Sequence, residues 1–162
     1  MLISLASDHA GFDMKQQLKD YLTQQGHTVI DRGPSSDVRV DYPDFAQLVA
    51  HDVAHNQAER GILVCGTGIG MAICANKVPG IRAANVINPQ FAVLCREHND
   101  ANIITLSGRF VDTDTNVQIV DAFLNTDFAG GRHSGRVEKM MALDALTPDA
   151  PDVPAHDAQQ GQ

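Results

Sequence analysis

Short apolar runs alternate with helical stripes along this chain, and that alternation limits its fold more than any other feature. Residues 2–7, 27–31, 61–65, 81–87 and 103–106 read as five buried strands. Between and after them, apolar residues recur at helical spacing. Met14, Leu18, Tyr21 and Leu22 form one stripe, stopped by Gly26. Phe45, Leu48, Val49, Val53 and Ala54 form another, opened by Pro43. A helix after residue 68 ends at Pro79-Gly80. Pro89 opens a stripe through Phe91, Val93, Leu94 and Cys95, and Val117, Ile119, Val120, Phe123 and Leu124 mark the next. A last helix begins at Val137, Met140 and Met141. Strands alternating with helices in this way imply an α/β fold of βαβ units around one parallel sheet covered on both faces. Ligands of such sheets sit beyond the carboxyl ends of the strands, so Asp8, His9, Cys65, Thr67, Asn88 and Arg109 are expected on one rim. The sequence shows no internal repeat and no second domain. From residue 147 onward Pro, Asp, Ala and Gln dominate, so one domain over 1–146 and a disordered tail over 147–162 are expected.

Composition narrows the function classes. A net charge of −8 over 162 residues argues against a nucleic-acid or anionic-membrane binder, either of which needs a basic face. No apolar run approaches the roughly 20 residues that span a bilayer. The first residues lack a basic leader, so no signal peptide is expected. Three cysteines, Cys65, Cys74 and Cys95, are too few for a disulfide scaffold and suit a reducing cytoplasm.

The most informative stretch is Gly61-Ile62-Leu63-Val64-Cys65-Gly66-Thr67-Gly68-Ile69-Gly70-Met71, a strand running through a glycine turn into a helix. Such a turn exposes backbone N–H groups, and the helix adds the positive end of its dipole, a combination that suits a phosphate or an enediolate. Three usual owners of such loops fail on spacing. The third glycine of a dinucleotide fingerprint and the arginine of a cysteine-phosphatase loop would both fall at Met71, and no Gly-Lys-Ser/Thr follows for a P-loop. The bland alternative is a tight turn whose glycines only let helix and sheet pack. A thiol beside a helix N-terminus is biased toward the thiolate, so Cys65 can serve as a base or a nucleophile. Cys74 and Cys95 lie inside helical patterns and read as core.

Other polar groups carry weaker signals. Asp8-His9 either caps the next helix or binds a hydroxyl or phosphate on the rim. His98-Asn99-Asp100 reads alone as a polar helix end. Arg132 and Arg136, four apart around His133 and beside Gly130-Gly131, form either a solvated patch paired to Glu138 or Asp144, or an anion grip. Cys95 and His98 lack a second ligand pair, so no metal site is expected.

Taken together these segments resemble the ribose-5-phosphate isomerase type B family, which includes galactose-6-phosphate and allose-6-phosphate isomerases. The resemblance rests on Ser7-Asp8-His9-Ala10-Gly11-Phe12, Val40-Asp41-Tyr42-Pro43, Cys65-Gly66-Thr67-Gly68-Ile69-Gly70 and Ala75-Asn76-Lys77. It continues through Gly80-Ile81-Arg82-Ala83, His98-Asn99-Asp100-Ala101-Asn102 and Gly130-Gly131-Arg132-His133. It implies a three-layer α/β/α sandwich with a five-stranded parallel, doubly wound, Rossmann-like sheet. It also implies a homodimer, with a tetramer as the alternative, whose active sites mix residues of both subunits. No metal, redox cofactor, nucleic acid or membrane is implied, and the substrate would be a small sugar phosphate.

By the same resemblance Cys65 is the base that moves a proton between C1 and C2 through a cis-enediolate. Thr67 and the amides of Gly66, Gly68 and Gly70 stabilise that enediolate. His98 assists ring opening and Asp8 contacts sugar oxygens. His9, Arg132 and Arg136 hold the phosphate, with Arg109 a further candidate, while Tyr42 and Asn99 line the site. Ribose 5-phosphate and ribulose 5-phosphate are the expected pair. Ser107-Gly108-Arg109-Phe110 and Asn85-Val86-Ile87-Asn88 match the family loosely, so tetrose or hexose phosphates are alternatives, as is a non-catalytic sugar-phosphate-binding module.

Overall fold

The computed structural model describes residues 1–145. The expected tail over 147–162 lies outside the described residues. Five strands, β1 (Leu2–Ser7), β2 (Thr28–Asp31), β3 (Arg60–Cys65), β4 (Ala83–Asn85) and β5 (Ile103–Ser107), form one all-parallel sheet in the order β2-β1-β3-β5-β4. Six helices accompany them: α1 (Phe12–Gln24), α2 (Tyr42–Ala54), α3 (Ile69–Ala75), α4 (Pro89–Asn99), α5 (Thr113–Asn125) and α6 (Ser134–Ala142).

Strand order and the right-handed crossover decide which face each helix covers. The steps β1 to β2 and β4 to β5 run one way along the sheet, and β2 to β3 and β3 to β4 run the other. Accordingly α1, α4 and α5 share one face, where Met14, Leu18, Leu22, Ala92, Ile119 and Phe123 meet Ile3, Leu5, Ile62, Val64, Ile104 and Leu106. On the opposite face, Ala46, Val49, Ala50 and Val53 of α2 and Met71 and Ala75 of α3 meet Ala6, Leu63, Cys65 and Ile103. Alternate strand residues serve opposite cores, which is why β1, β3 and β5 are nearly continuous apolar runs. Each fully buried Leu, Ile or Phe contributes about 1.5–3 kcal/mol of transfer free energy.

Local signals set the helix ends. Asn88 caps α4 by accepting from the Phe91 N–H at 2.9 Å, with Pro89 in the first turn. Asp112 caps α5 at the Thr115 N–H, and Gly26 follows α1 with φ +84°. Two expected elements are shorter than their apolar patterns. The helix after the glycine turn stops at Ala75 rather than near 78, and the fourth strand covers only 83–85 rather than 81–87. Asn76 explains both: its side chain donates to the Ala83 carbonyl at 2.8 Å and accepts from the Ala83 N–H at 2.7 Å. A side chain leaving a helix end thereby takes the place of a sixth strand along the sheet edge.

Candidate active site

The winding reverses between β1 and β3, and the carboxyl ends of these neighbouring strands open the crevice that such sheets offer to ligands. Asp8, His9, Tyr42, Cys65, Gly66, Thr67, Gly70 and Arg109 line one cavity there, open to solvent. Cys65 ends β3 at 5% exposure, whereas Thr67 and Arg109 are exposed.

Asp8 takes the capping role. Its Oδ1 accepts from the Ala10 and Gly11 N–H groups at 2.8 and 3.0 Å, opening a 3-10 turn over His9–Gly11. His9 turns its Nδ1 to the Val40 carbonyl at 3.3 Å, which ties the loop before α2 to the rim. Tyr42 stands at the start of α2, and its ring lies over Gly70. A methyl group at residue 70 would stand 2.8 Å from that ring, so glycine there sets how closely α3 approaches the phenol.

The loop after β3 is held by its carbonyls. The Cys65 carbonyl accepts from the Gly108 N–H at 2.8 Å, that of Gly66 from the Ser107 hydroxyl at 2.8 Å, and that of Thr67 from Asn85 Nδ2 at 3.2 Å. In a planar trans peptide the C=O and the next N–H point in opposite directions. Three carbonyls turned toward β4 and β5 therefore turn the following amides toward the cavity. The Gly68 N–H reaches Cys65 Sγ at 3.1 Å, and Gly68 adopts φ +81° to make that turn. Among the described residues, the N–H groups of Gly66, Thr67, Gly70 and Met71 have no hydrogen-bond partner. Four free amides at a helix N-terminus beside a thiol form a cradle for an oxyanion.

The remaining expected residues are elsewhere. Helix α4 runs back from the rim, so His98 and Asn99 at its far end lie just ahead of the start of β5, at the opposite end of the sheet from Cys65. The segment 130–136 packs there too: Arg96 Nε donates to the Thr126 carbonyl and the Ala129 N–H to the Glu97 carbonyl. The His98 ring stacks on that of His133, with centroids 4.3 Å apart and planes inclined by 9°. Arg132 Nε reaches His133 Nε2 at 3.3 Å. Burial, with His98, Arg132 and Arg136 nearby, holds the His133 imidazole below its ordinary range. Arg132 and Arg136 are exposed, and among the described residues neither forms an ion pair. Asp144, considered above as a partner for this patch, instead accepts from the Gly80 N–H. One chain thus assembles two separate clusters, a thiol beside free amides on one rim and a histidine–arginine cluster on the other.

The other thiols are poor nucleophiles. Burial pushes Cys95 up to about 11, and burial followed by the proximity of Cys65 pushes Cys74 up. Among the described residues no group of three or more metal-ligating side chains occurs, and no helix is long and apolar enough to cross a membrane. Sequence reading attached no role to Asn85 or Ser107. Their signal was weak: one amide and one hydroxyl interrupting apolar strands.

Comparison with known proteins covers most of the chain. The family model described as Ribose/Galactose Isomerase matches residues 3–140. Ribose-5-phosphate isomerase B of Escherichia coli strain K12 is 43% identical over 142 residues, covering 88% of this chain and 95% of that protein. A Clostridium thermocellum ribose-5-phosphate isomerase B structure superposes with a TM-score of 0.88 at 47% identity, over 89% of this chain and 97% of the other. The Mycoplasma genitalium ribose-5-phosphate isomerase B structure, with bound ribulose-5-phosphate, gives 0.87 at 44% identity, over 90% and 97%.

Proposed function

The chain belongs to the ribose/galactose isomerase family, and from that membership we propose that it interconverts ribose 5-phosphate and ribulose 5-phosphate through a cis-enediolate, with Cys65 as the general base. The observation that carries this reading is the Cys65 thiol at the carboxyl end of β3, receiving the Gly68 N–H and facing a cradle of amides that have no partner among the described residues. In the ring-opened aldose the thiolate takes the proton from C2. The electron pair left behind becomes the C1–C2 double bond, and the former carbonyl oxygen carries the charge. A proton passes from O2 to O1, the thiol returns its proton to C1, and the C2 carbonyl forms. The base is regenerated and no oxidant or reductant is consumed. The free amides and the Thr67 hydroxyl stabilise the oxyanion, and each such donor is worth about 10²–10³ in rate.

Ring opening and phosphate binding draw on the histidine–arginine cluster. Because His98, Asn99, Arg132 and Arg136 lie at the far end of the sheet from Cys65, we assign them to the active site of a second copy in a homodimer. His98 of one protomer then opens the furanose beside Cys65 of the other, and Arg132 and Arg136 grip the phosphate together with His9, with Arg109 as a further contact. Asp8 contacts sugar oxygens, and Tyr42 and Asn99 line the site. Ile69 and Ile73, 55% and 58% exposed beside the thiol cradle, support burial against that second copy. The isomerase unit spans 1–146, and a base that must remain a free thiol suits the cytoplasm.

Incubation with ribose 5-phosphate in deuterium oxide tests the chemistry. The expected result is ribulose 5-phosphate with solvent deuterium incorporated, and loss of both in Cys65→Ala. An active Cys65→Ala variant overturns the base assignment. Inactivity on every aldose phosphate of four to six carbons, with binding retained, leaves only a sugar-phosphate-binding module.

A further inference from the structure

We propose that Asn85, on the edge strand β4, is a positioning residue that orients the Thr67–Gly68 peptide so that its N–H supports the Cys65 thiolate. The inference rests on the reading of Cys65 as the base but concerns a residue outside the cavity. Asn85 Nδ2 lies 3.2 Å from the Thr67 carbonyl, 3.2 Å from the Thr105 carbonyl and 3.1 Å from Thr105 Oγ1. Both carbonyls can only accept, so the amide NH₂ must face them, and its two hydrogens match the two carbonyl oxygens. One side chain therefore bridges β5 and the catalytic loop. Its packing against the loop is close: a methyl group on Gly68 would stand 2.1 Å from Asn85 Nδ2.

The bond has a direct consequence two atoms away. The oxygen held by Asn85 and the N–H that reaches Cys65 Sγ at 3.1 Å belong to the same peptide plane. Fixing the oxygen toward β5 fixes the hydrogen toward sulfur. A donor aimed at sulfur favours the thiolate over the thiol. Ser107 does the analogous work one peptide earlier. Its hydroxyl donates to the Gly66 carbonyl at 2.8 Å and accepts from the Phe110 N–H at 3.0 Å, which turns the Thr67 N–H toward the cavity, where among the described residues it has no hydrogen-bond partner. The two residues thus divide the loop. Asn85 acts on the base, and Ser107 acts on an amide available to the oxyanion.

The division can be read without substrate. The charged and titratable groups facing Cys65 are Asp8 and His9 after β1, Tyr42 on α2, Cys74 on α3 and Arg109 after β5, and none is altered in the variants. The experiment is iodoacetamide alkylation of the full-length protein across pH, followed at the Cys65 peptide by mass spectrometry, with steady-state turnover of ribose 5-phosphate alongside. In Asn85→Leu, and in the uncharged Asn85→Ala, the pH midpoint of alkylation is expected to rise relative to the parent. The kcat is expected to fall about tenfold, in the range of losses seen for residues that orient a reacting group, with KM within about twofold. Ser107→Ala is expected to lower kcat and leave the alkylation midpoint in place. If both Asn85 variants alkylate with the parent's midpoint, the proposal is wrong. A raised midpoint in a protein whose parent turns over no sugar phosphate upholds the positioning and removes the isomerase reading, so the two failures are distinct.

Discussion

The His98 ring lies flat against the His133 ring, 4.3 Å between centroids, at the end of the sheet opposite Cys65. The pair is formed within one chain. Stacking fixes the His98 plane, and among the described residues neither of its ring nitrogens has a hydrogen-bond partner. Under the proposed homodimer this pair would meet Cys65 of a second copy.

Mixing inactive subunits tests that. Cys65→Ala and His98→Ala homodimers are each expected to be nearly inactive. Statistical exchange between them makes heterodimers in which one of two shared sites is intact, so about a quarter of the parent activity should return. No recovery after verified exchange would place both residues in one protomer's site.

Glycines on the cradle separate stability from binding. Gly68→Ala forces a side chain into φ +81° and against Asn85 and the Leu106 backbone, so a loss of about 1–2 kcal/mol from the backbone alone is expected in thermal or urea unfolding. The nearest atoms that Gly70→Ala meets are those of the Tyr42 ring, which at 39% exposure has solvent to turn into. That variant should keep its melting temperature and raise KM. A large loss of stability in Gly70→Ala would show that the ring is locked.

Stability in acid should depend on Asp52. Burial raises its carboxyl, but the Arg32 guanidinium and the Ser4 hydroxyl, at 2.7 and 2.6 Å, outweigh burial and hold it below the ordinary 3.8. A lowered carboxyl stabilises the fold above the unfolded-state value, and the contribution is lost as pH falls through the folded-state value. Asp52→Asn should therefore be less stable at neutral pH and lose less on acidification to about pH 2, read as unfolding free energy against pH. Parallel curves for parent and variant would remove the pair from the acid response.

Phosphate should be felt at His133. Burial and then the neighbouring His98, Arg132 and Arg136 disfavour its protonated form. An anion held by the two arginines offsets their charge, so inorganic phosphate should raise the His133 titration midpoint in NMR, and binding should strengthen as pH falls toward it. An unmoved His133 with shifts confined to His9 would place the phosphate on the thiol rim alone.

Much of this was legible in the residues. Continuous apolar runs and period-3.6 stripes report burial directly, and so they locate five strands and the helices between them, with Pro43, Pro89 and Gly26 marking ends. Cys65 and Asp8 follow from the strand-end rule. Boundaries in the 69–87 region were misjudged because the apolar pattern continues past Ala75 and around Ala83, while the deciding contact, Asn76 to Ala83, is a side-chain substitute for a strand. Asn85 and Ser107 gave only a weak signal because the loop atoms they hold are backbone carbonyls, which every residue carries.

What the sequence by itself determined is the α/β alternation, the thiol at a glycine turn, and the family resemblance carried by its motifs. Only the tertiary structure decided that β5 inserts between β3 and β4, which brings Ser107 and Asn85 against the loop after β3. It alone decided that His98 and Arg132 lie a sheet's length from Cys65. The physical reason is common to both: patterning reports which side of an element is buried, a local property. The order of strands, and the rim a helix end reaches, depend on long-range packing that no window of residues contains.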